Sequence, residues 1–262
     1  MTSLFVAMLL LLSSCGSVPL TGRKQVLLVS DQEVLSSSLT QYSDYMKSAK
    51  KSSSKDGAAM VTRVGKKIAA ATEQYLRNNG LESEIKNFAW EFNLVNDPQV
   101  NAFCMPGGKI VVYEGLMQLV SSDDELAVVV GHEVAHAVAK HSNERMSQQL
   151  MAQYGAQILG QALSNKSAAV QKIGASVYGL GAQYGVMLPF SRKHESEADY
   201  MGLVFMAMAG YNPAVAVNFW QKMSAGKSGS TPEFMSTHPS DATRINEIKQ
   251  HLPEIEKYRV KK

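Results

Sequence analysis

Val128-Val129-Val130-Gly131-His132-Glu133-Val134-Ala135-His136-Ala137-Val138 contains the pattern H-E-x-x-H, and the other segments take their meaning from it. Four-residue spacing on a helix puts His132 and His136 one above the other on the same face. Two imidazoles so placed bind one Zn²⁺, and Glu133, part of a turn away, reaches a water there as general base. A chance match on a core helix is the plain alternative, and three successive valines also suit a strand. The flanks favour a helix: Ser122 and Glu125 make a capping-box pattern, and Asp123 and Asp124 complement a helix N-terminus. Leu126 to Ala139 is apolar nearly all round. The helix is therefore expected to be buried, where unpaired polar side chains are costly.

A catalytic zinc takes three protein ligands and leaves one position for water. The metzincin extension fails here, because Ala139 replaces its glycine and Ser142 its third histidine. His141 falls on the opposite face of a continuing helix and is expected at the surface. Ser191-Arg192-Lys193-His194-Glu195-Ser196-Glu197-Ala198-Asp199 offers better candidates. On a helix Glu195 and Asp199 share a face, while Glu197 points away. Glu195 can complete a His-His-Glu site, and Asp199, one turn on, can hydrogen-bond a ligand histidine and fix its tautomer. A charged, solvated helix face is the competing explanation for these carboxylates.

The chain has 262 residues, 45% hydrophobic and 19% charged, with a net charge of +3. That is globular composition without a basic stripe, so nucleic acid is not an expected partner. Leu4 to Leu12 is too short an apolar run to span a bilayer but suits a signal-peptide core. It ends in Leu12-Ser13-Ser14-Cys15-Gly16, which resembles a bacterial lipobox and implies lipidation of Cys15. The expected organisation is a lipoprotein-type signal peptide over 1–14, an extended tether over 15–30 and a single domain over 31–262. Alternation from Phe88 to Leu94 marks a half-buried strand, and Pro106-Gly107-Gly108-Lys109 joins two more as a hairpin. The fold class is thus α+β, mainly helical, with a small antiparallel sheet beside the active-site helix. Cys104 is simply a strand residue in this scheme. Glu144 to Gly185 reads as a glycine-rich helical pair: a core layer, a mobile lid or a surface resting on a membrane.

H-E-V-A-H followed by S-R-x-x-E-x-E-A-D resembles the gluzincin zinc metallopeptidase family of HtpX and the CAAX-prenyl endopeptidases. Asn101-Ala102-Phe103 with Pro106-Gly107-Gly108, and Thr237-His238-Pro239 with Arg244-Ile245, extend the resemblance over roughly Asp31 to Leu252. It is nearest to periplasmic lipoprotein members of the LoiP and BepA type. The resemblance implies a zincin-like domain with one Zn²⁺ per chain on His132, His136 and Glu195. It also implies catalytic roles for Glu133, His238 and Asp199, and substrate contacts for Asn101, Ala102, Phe103 and Arg244. His238 would lie near the metal, assisting an oxyanion or capping the zinc. The implied activity is a metalloendopeptidase for misfolded or unfolded envelope proteins. Its implied location is the periplasmic face of the outer membrane, as a lipoprotein held by a lipid anchor at Cys15. A zinc-containing chaperone or assembly factor with little proteolysis is the alternative from another class.

Overall fold

The computed structural model describes residues 15–168, 170–172, 175–176, 188–225, 234, 238 and 242–260. It opens with strands β1 (Cys15–Ser17) and β2 (Lys24–Val26), an antiparallel hairpin in the register Cys15↔Val26. Ser30 and Glu33 form a complete capping box that starts α1 (Asp31–Ser48), and the Ser54 side chain caps α2 (Lys55–Asn78). A short helix α3 (Glu82–Ile85) leads to strands β3 (Glu91–Val95), β4 (Ala102–Met105) and β5 (Lys109–Tyr113). A further short helix α4 (Glu114–Met117) precedes α5 (Asp123–Val138), whose N-cap is Ser122. Helices α6 (His141–Leu163), α7 (Leu188–Met208), α8 (Val215–Ala225) and α9 (Ala242–Ile255) follow. The architecture is mainly helical with a small sheet, as expected for a zincin-like α+β domain.

The sheet order is β3-β5-β4, with β5 central and buried along its whole length. The β4–β5 hairpin is antiparallel, and its turn needs Gly107 and Gly108 at φ of +96° and +77°. On its far side β5 pairs with β3 in parallel, an orientation that alternation in a sequence does not specify. Strand β4 is left as the edge next to α5, and the Cys104 N–H donates to Glu133 Oε2 at 3.1 Å.

Helix α5 is the axis of the core. Leu126, Val129 and Val134 are fully buried in it, each stabilising the fold by about 1.5–3 kcal/mol. Its nearest neighbour is α7, and the reason is a pair of glycines. A Cβ on Gly131 would meet the Gly202 carbonyl oxygen at 2.7 Å, and one on Gly202 would meet the Gly131 carbonyl carbon at 2.7 Å. The two backbones touch, which draws the carboxylates of α7 against the histidines of α5. Lys140 then turns left-handed at φ 58°, ending α5 and redirecting the chain into α6.

Residues 15–30 differ from an extended tether. The hairpin packs on the body, with Val18 buried and Arg23 bridging Glu144 and Glu197. The glycine-rich stretch is helical through Leu163; residues 169, 173–174 and 177–187, like 1–14, lie outside the described residues. No described helix is long and apolar enough to cross a membrane.

Candidate metal centre

His132, His136, Glu195 and His238 each present one ligand atom, and these atoms lie within 4.8 Å of one another. His132 Nε2 is 3.0 Å from His136 Nε2 and 3.3 Å from Glu195 Oε2, while His136 Nε2 is 3.5 Å from Glu195 Oε1. His238 Nδ1 completes the group, 3.0 Å from Glu195 Oε2 and 3.3 Å from His132 Nε2. Its ring stacks on Phe234 at 4.5 Å between centroids.

The hydrogen-bond partners decide which ring atoms carry lone pairs. The Asp199 carboxylate can only accept, so His132 Nδ1, at 2.9 Å, donates to it and leaves Nε2 facing the cluster. Glu197 likewise accepts from His141 Nε2 at 3.0 Å. A neutral His141 then accepts at Nδ1, so His136 Nδ1 donates to it at 2.8 Å and His136 Nε2 also faces inward. Burial pushes the His141 pKa down to about 4 against the pull of Glu197, which keeps that ring neutral.

With both imidazoles neutral, two lone pairs and a carboxylate converge in this space, an arrangement that a proton or a metal cation relieves. Burial opposes a charge on His132, yet Asp199 and Glu195 outweigh it and raise its pKa to about 9. Burial also opposes a charge on Glu195, but hydrogen bonds with His132 and His238 hold its carboxyl far below the usual range. The cluster therefore attracts positive charge, and its N and O donors fit Zn²⁺. Glu133 lies beside it with its pKa raised by burial, and its buried Oε1 has no hydrogen-bond partner among the described residues. Glu133, His136, Glu195 and His238 line a cleft of about 200 Å³ that also reaches Phe103, Cys104 and Arg145.

Several residues sit differently from their sequence expectations. His141 is buried, not at the surface, because the left-handed Lys140 breaks the helix phase and swings it back onto His136. Glu197 does point away from the metal cluster, but into a buried network rather than into solvent. Arg244, expected among the substrate contacts, is buried. It binds Asp199 through Nε and through a second nitrogen at 2.9 Å, reaches Glu195 at 3.2 Å and lies over the Trp220 ring. Those partners make it a bracket for the carboxylates. Asn101, Ala102 and Phe103 do lie at the edge strand, where the Asn101 side chain accepts from the Ala102 N–H at 2.9 Å. Sequence reasoning missed Arg23, Glu144, His194 and the two glycines; only Gly131, inside an apolar run, carried a local signal.

Comparison with known proteins follows the same lines. The chain is 36% identical over 205 residues to the mitochondrial metalloendopeptidase OMA1 of Schizosaccharomyces pombe, covering 75% of this chain and 53% of that protein. The protein of the same name from Arabidopsis thaliana is 40% identical over 168 residues, covering 64% of this chain and 33% of its own length. A beta-barrel assembly-enhancing protease of Yersinia pestis is 33% identical over 174 residues, covering 62% and 36%. The chain thus spans about half the length of these relatives, or less. Their names correct the expected location. The two relatives at higher identity are mitochondrial, which overturns the periplasmic face of the outer membrane and leaves kinship with a bacterial protease as one branch of the likeness. The signal peptide over 1–14 and the side chain of Cys15, on which a lipid anchor depended, lie outside the described residues. The model of peptidase family M48 matches residues 62–252, and with the His/Glu cluster assembled the chain belongs to that family of zinc-dependent metallopeptidases.

Proposed function

We propose that the chain is a zinc metalloendopeptidase whose one ion is held by His132, His136 and Glu195, with Glu133 as general base. The convergence of His132, His136 and Glu195 beside Glu133 Oε1, which accepts no hydrogen bond among the described residues and lies 3.5 Å from His238 Nε2, carries this reading. When bound, zinc supplies Lewis acidity that polarises the scissile carbonyl and acidifies water. Glu133 takes the proton of the attacking water at Oε1 and delivers it to the leaving amine; its raised pKa suits a group that must hold a proton between the two steps. Asp199, itself held by Arg244, fixes the His132 ring and its tautomer. The substrate is an unfolded or misfolded protein segment lying extended along Asn101 to Met105. There it takes over the N–H groups of Ala102 and Cys104 from Asn101 and Glu133.

The position of His238 favours a second reading, a zinc-containing chaperone or assembly factor with little proteolysis. Its Nδ1 lies within the ligand group, where it can cap the site. His238→Ala separates the two: a cap predicts faster cleavage in the variant, and an oxyanion-stabilising role predicts slower cleavage.

The main test compares zinc content and cleavage of unfolded casein for the parent and Glu133→Gln. Both should bind about one zinc and only the parent should cleave, with a loss on the order of 10²–10⁴-fold. Equal cleavage by the variant would remove Glu133 from the mechanism, and zinc-free parent protein would remove the whole reading.

A further inference from the structure

A second buried chain of polar groups leads from the N-terminal hairpin to His136. Arg23 Nε donates to Glu197 Oε2 at 2.8 Å, and Thr21 Oγ1 donates to Glu197 Oε1. The other Arg23 nitrogens fork onto both oxygens of Glu144, at 2.8 Å and 2.7 Å. Glu197 is thereby pinned at both oxygens, and it accepts from His141, whose Nδ1 accepts from His136. The His141 ring is also stacked on His194 at 4.2 Å, with 14° between the planes. The side chains of Arg23, Glu197 and His141 are only 10%, 6% and 4% exposed, so solvent does not substitute for these partners.

We propose that Arg23 is a positioning residue for His136, acting through Glu197 and His141, so that the hairpin before the helical body sets the zinc affinity of the site. The inference rests on His136 being a ligand. Its physical content is a directed line of donors. Only a carboxylate at Glu197 forces the His141 proton onto Nε2 and leaves Nδ1 free to accept. Without that, His141 could place its proton on Nδ1 and oppose the His136 N–H, and a flip of the His136 ring would carry its inward lone pair away. Without Arg23, the buried Glu197 charge loses the guanidinium that compensates it. Outer partners of this kind hold ligand rings in orientation and raise their basicity. The middle carboxylate of the E-x-E-A-D stretch thus has a task distinct from those of Glu195 and Asp199.

The test is competitive zinc binding against a chelator, with unfolding of the metal-free protein measured in parallel. His141→Phe and Arg23→Met should bind zinc about 10- to 100-fold more weakly. His141→Asn, whose amide oxygen stands near the place of Nδ1, should recover much of the loss. A hairpin that is merely an anchor predicts something else: Arg23→Met would lower the metal-free unfolding midpoint and keep the parental zinc affinity, and that result overturns the proposal. Should either variant fail to fold, Arg23→Lys decides, since it keeps the charge but cannot fork across two carboxylates. Weaker zinc binding by Arg23→Lys supports the positioning role, and unchanged binding overturns it. His136→Ala with parental zinc affinity would instead overturn the ligand assignment beneath the proposal.

Discussion

Two clusters of histidines and carboxylates lie side by side along α7, one facing α5 and the other facing α6 and the N-terminal hairpin, and they are built on opposite rules. In the first, His132, His136 and Glu195 turn acceptor atoms toward one another, and Glu133 Oε1 is buried without a hydrogen bond among the described residues. In the second, Arg23, Glu144, His194, His141 and Glu197 match donors to acceptors in sequence. With neutral imidazoles the first is a frustrated arrangement, which a proton or a metal cation resolves. The second is a closed network, which rigidifies its surroundings when fully satisfied. Composition alone does not tell a metal site from a structural ion network; the direction of the hydrogen bonds does.

The comparison breaks most clearly at Glu195. Glu195→Gln should lower zinc affinity by more than about a hundredfold, beyond the effect typical of an outer partner, and reduce casein cleavage to background. Chelator competition and a peptidase assay check this together. Next comes the contact that holds both clusters in place. Gly202→Val puts a side chain where a Cβ already meets backbone at 2.7 Å, so it should cost about 1–3 kcal/mol. It should also cut kcat/KM by about 10²-fold through displaced ligands, as read by unfolding and kinetics.

The closed network should also answer to acid. Burial opposes ionisation of Glu144, but His194 and Arg23 outweigh it and hold the pKa near 2. A depressed carboxyl contributes stability above its unfolded pKa of about 4.3, and that contribution fades as pH falls toward 2. Glu144→Gln should therefore lose about 2 kcal/mol at pH 7, and the gap to the parent should close on acidification between those values. Denaturant unfolding of metal-free protein across that range measures it. The smallest effect belongs to Arg63 and Asp123, an exposed pair at 2.7 Å far from both clusters. Arg63→Ala should change stability by no more than about 1 kcal/mol and leave zinc binding unchanged.

Much of the first cluster was legible in the sequence because helical spacing fixes it. H-E-x-x-H and E-x-x-x-D each lie within one helix, so His132, His136, Glu195 and Asp199 follow from a period of 3.6 residues. The hairpin followed from its glycines, and the start of α5 from Ser122. The second cluster was hidden because its members come from the hairpin, α6 and α7, with Arg23 and Glu197 separated by 174 positions. His141 was misplaced for a local reason. A single left-handed residue, Lys140, resets the helix phase, and a lysine there gives no sign of it. The buried role of Arg244 depends on α9 closing over α7, which no short-range pattern encodes.

Zinc K-edge absorption on the protein loaded with one equivalent tests the metal site most directly. A first shell of imidazole nitrogen and carboxylate oxygen at about 2.0–2.2 Å is the expected result, with one nitrogen lost in His136→Ala. A sulfur neighbour at about 2.3 Å, which only a cysteine such as Cys104 in the cleft would supply, would contradict it, as would failure to take up the metal.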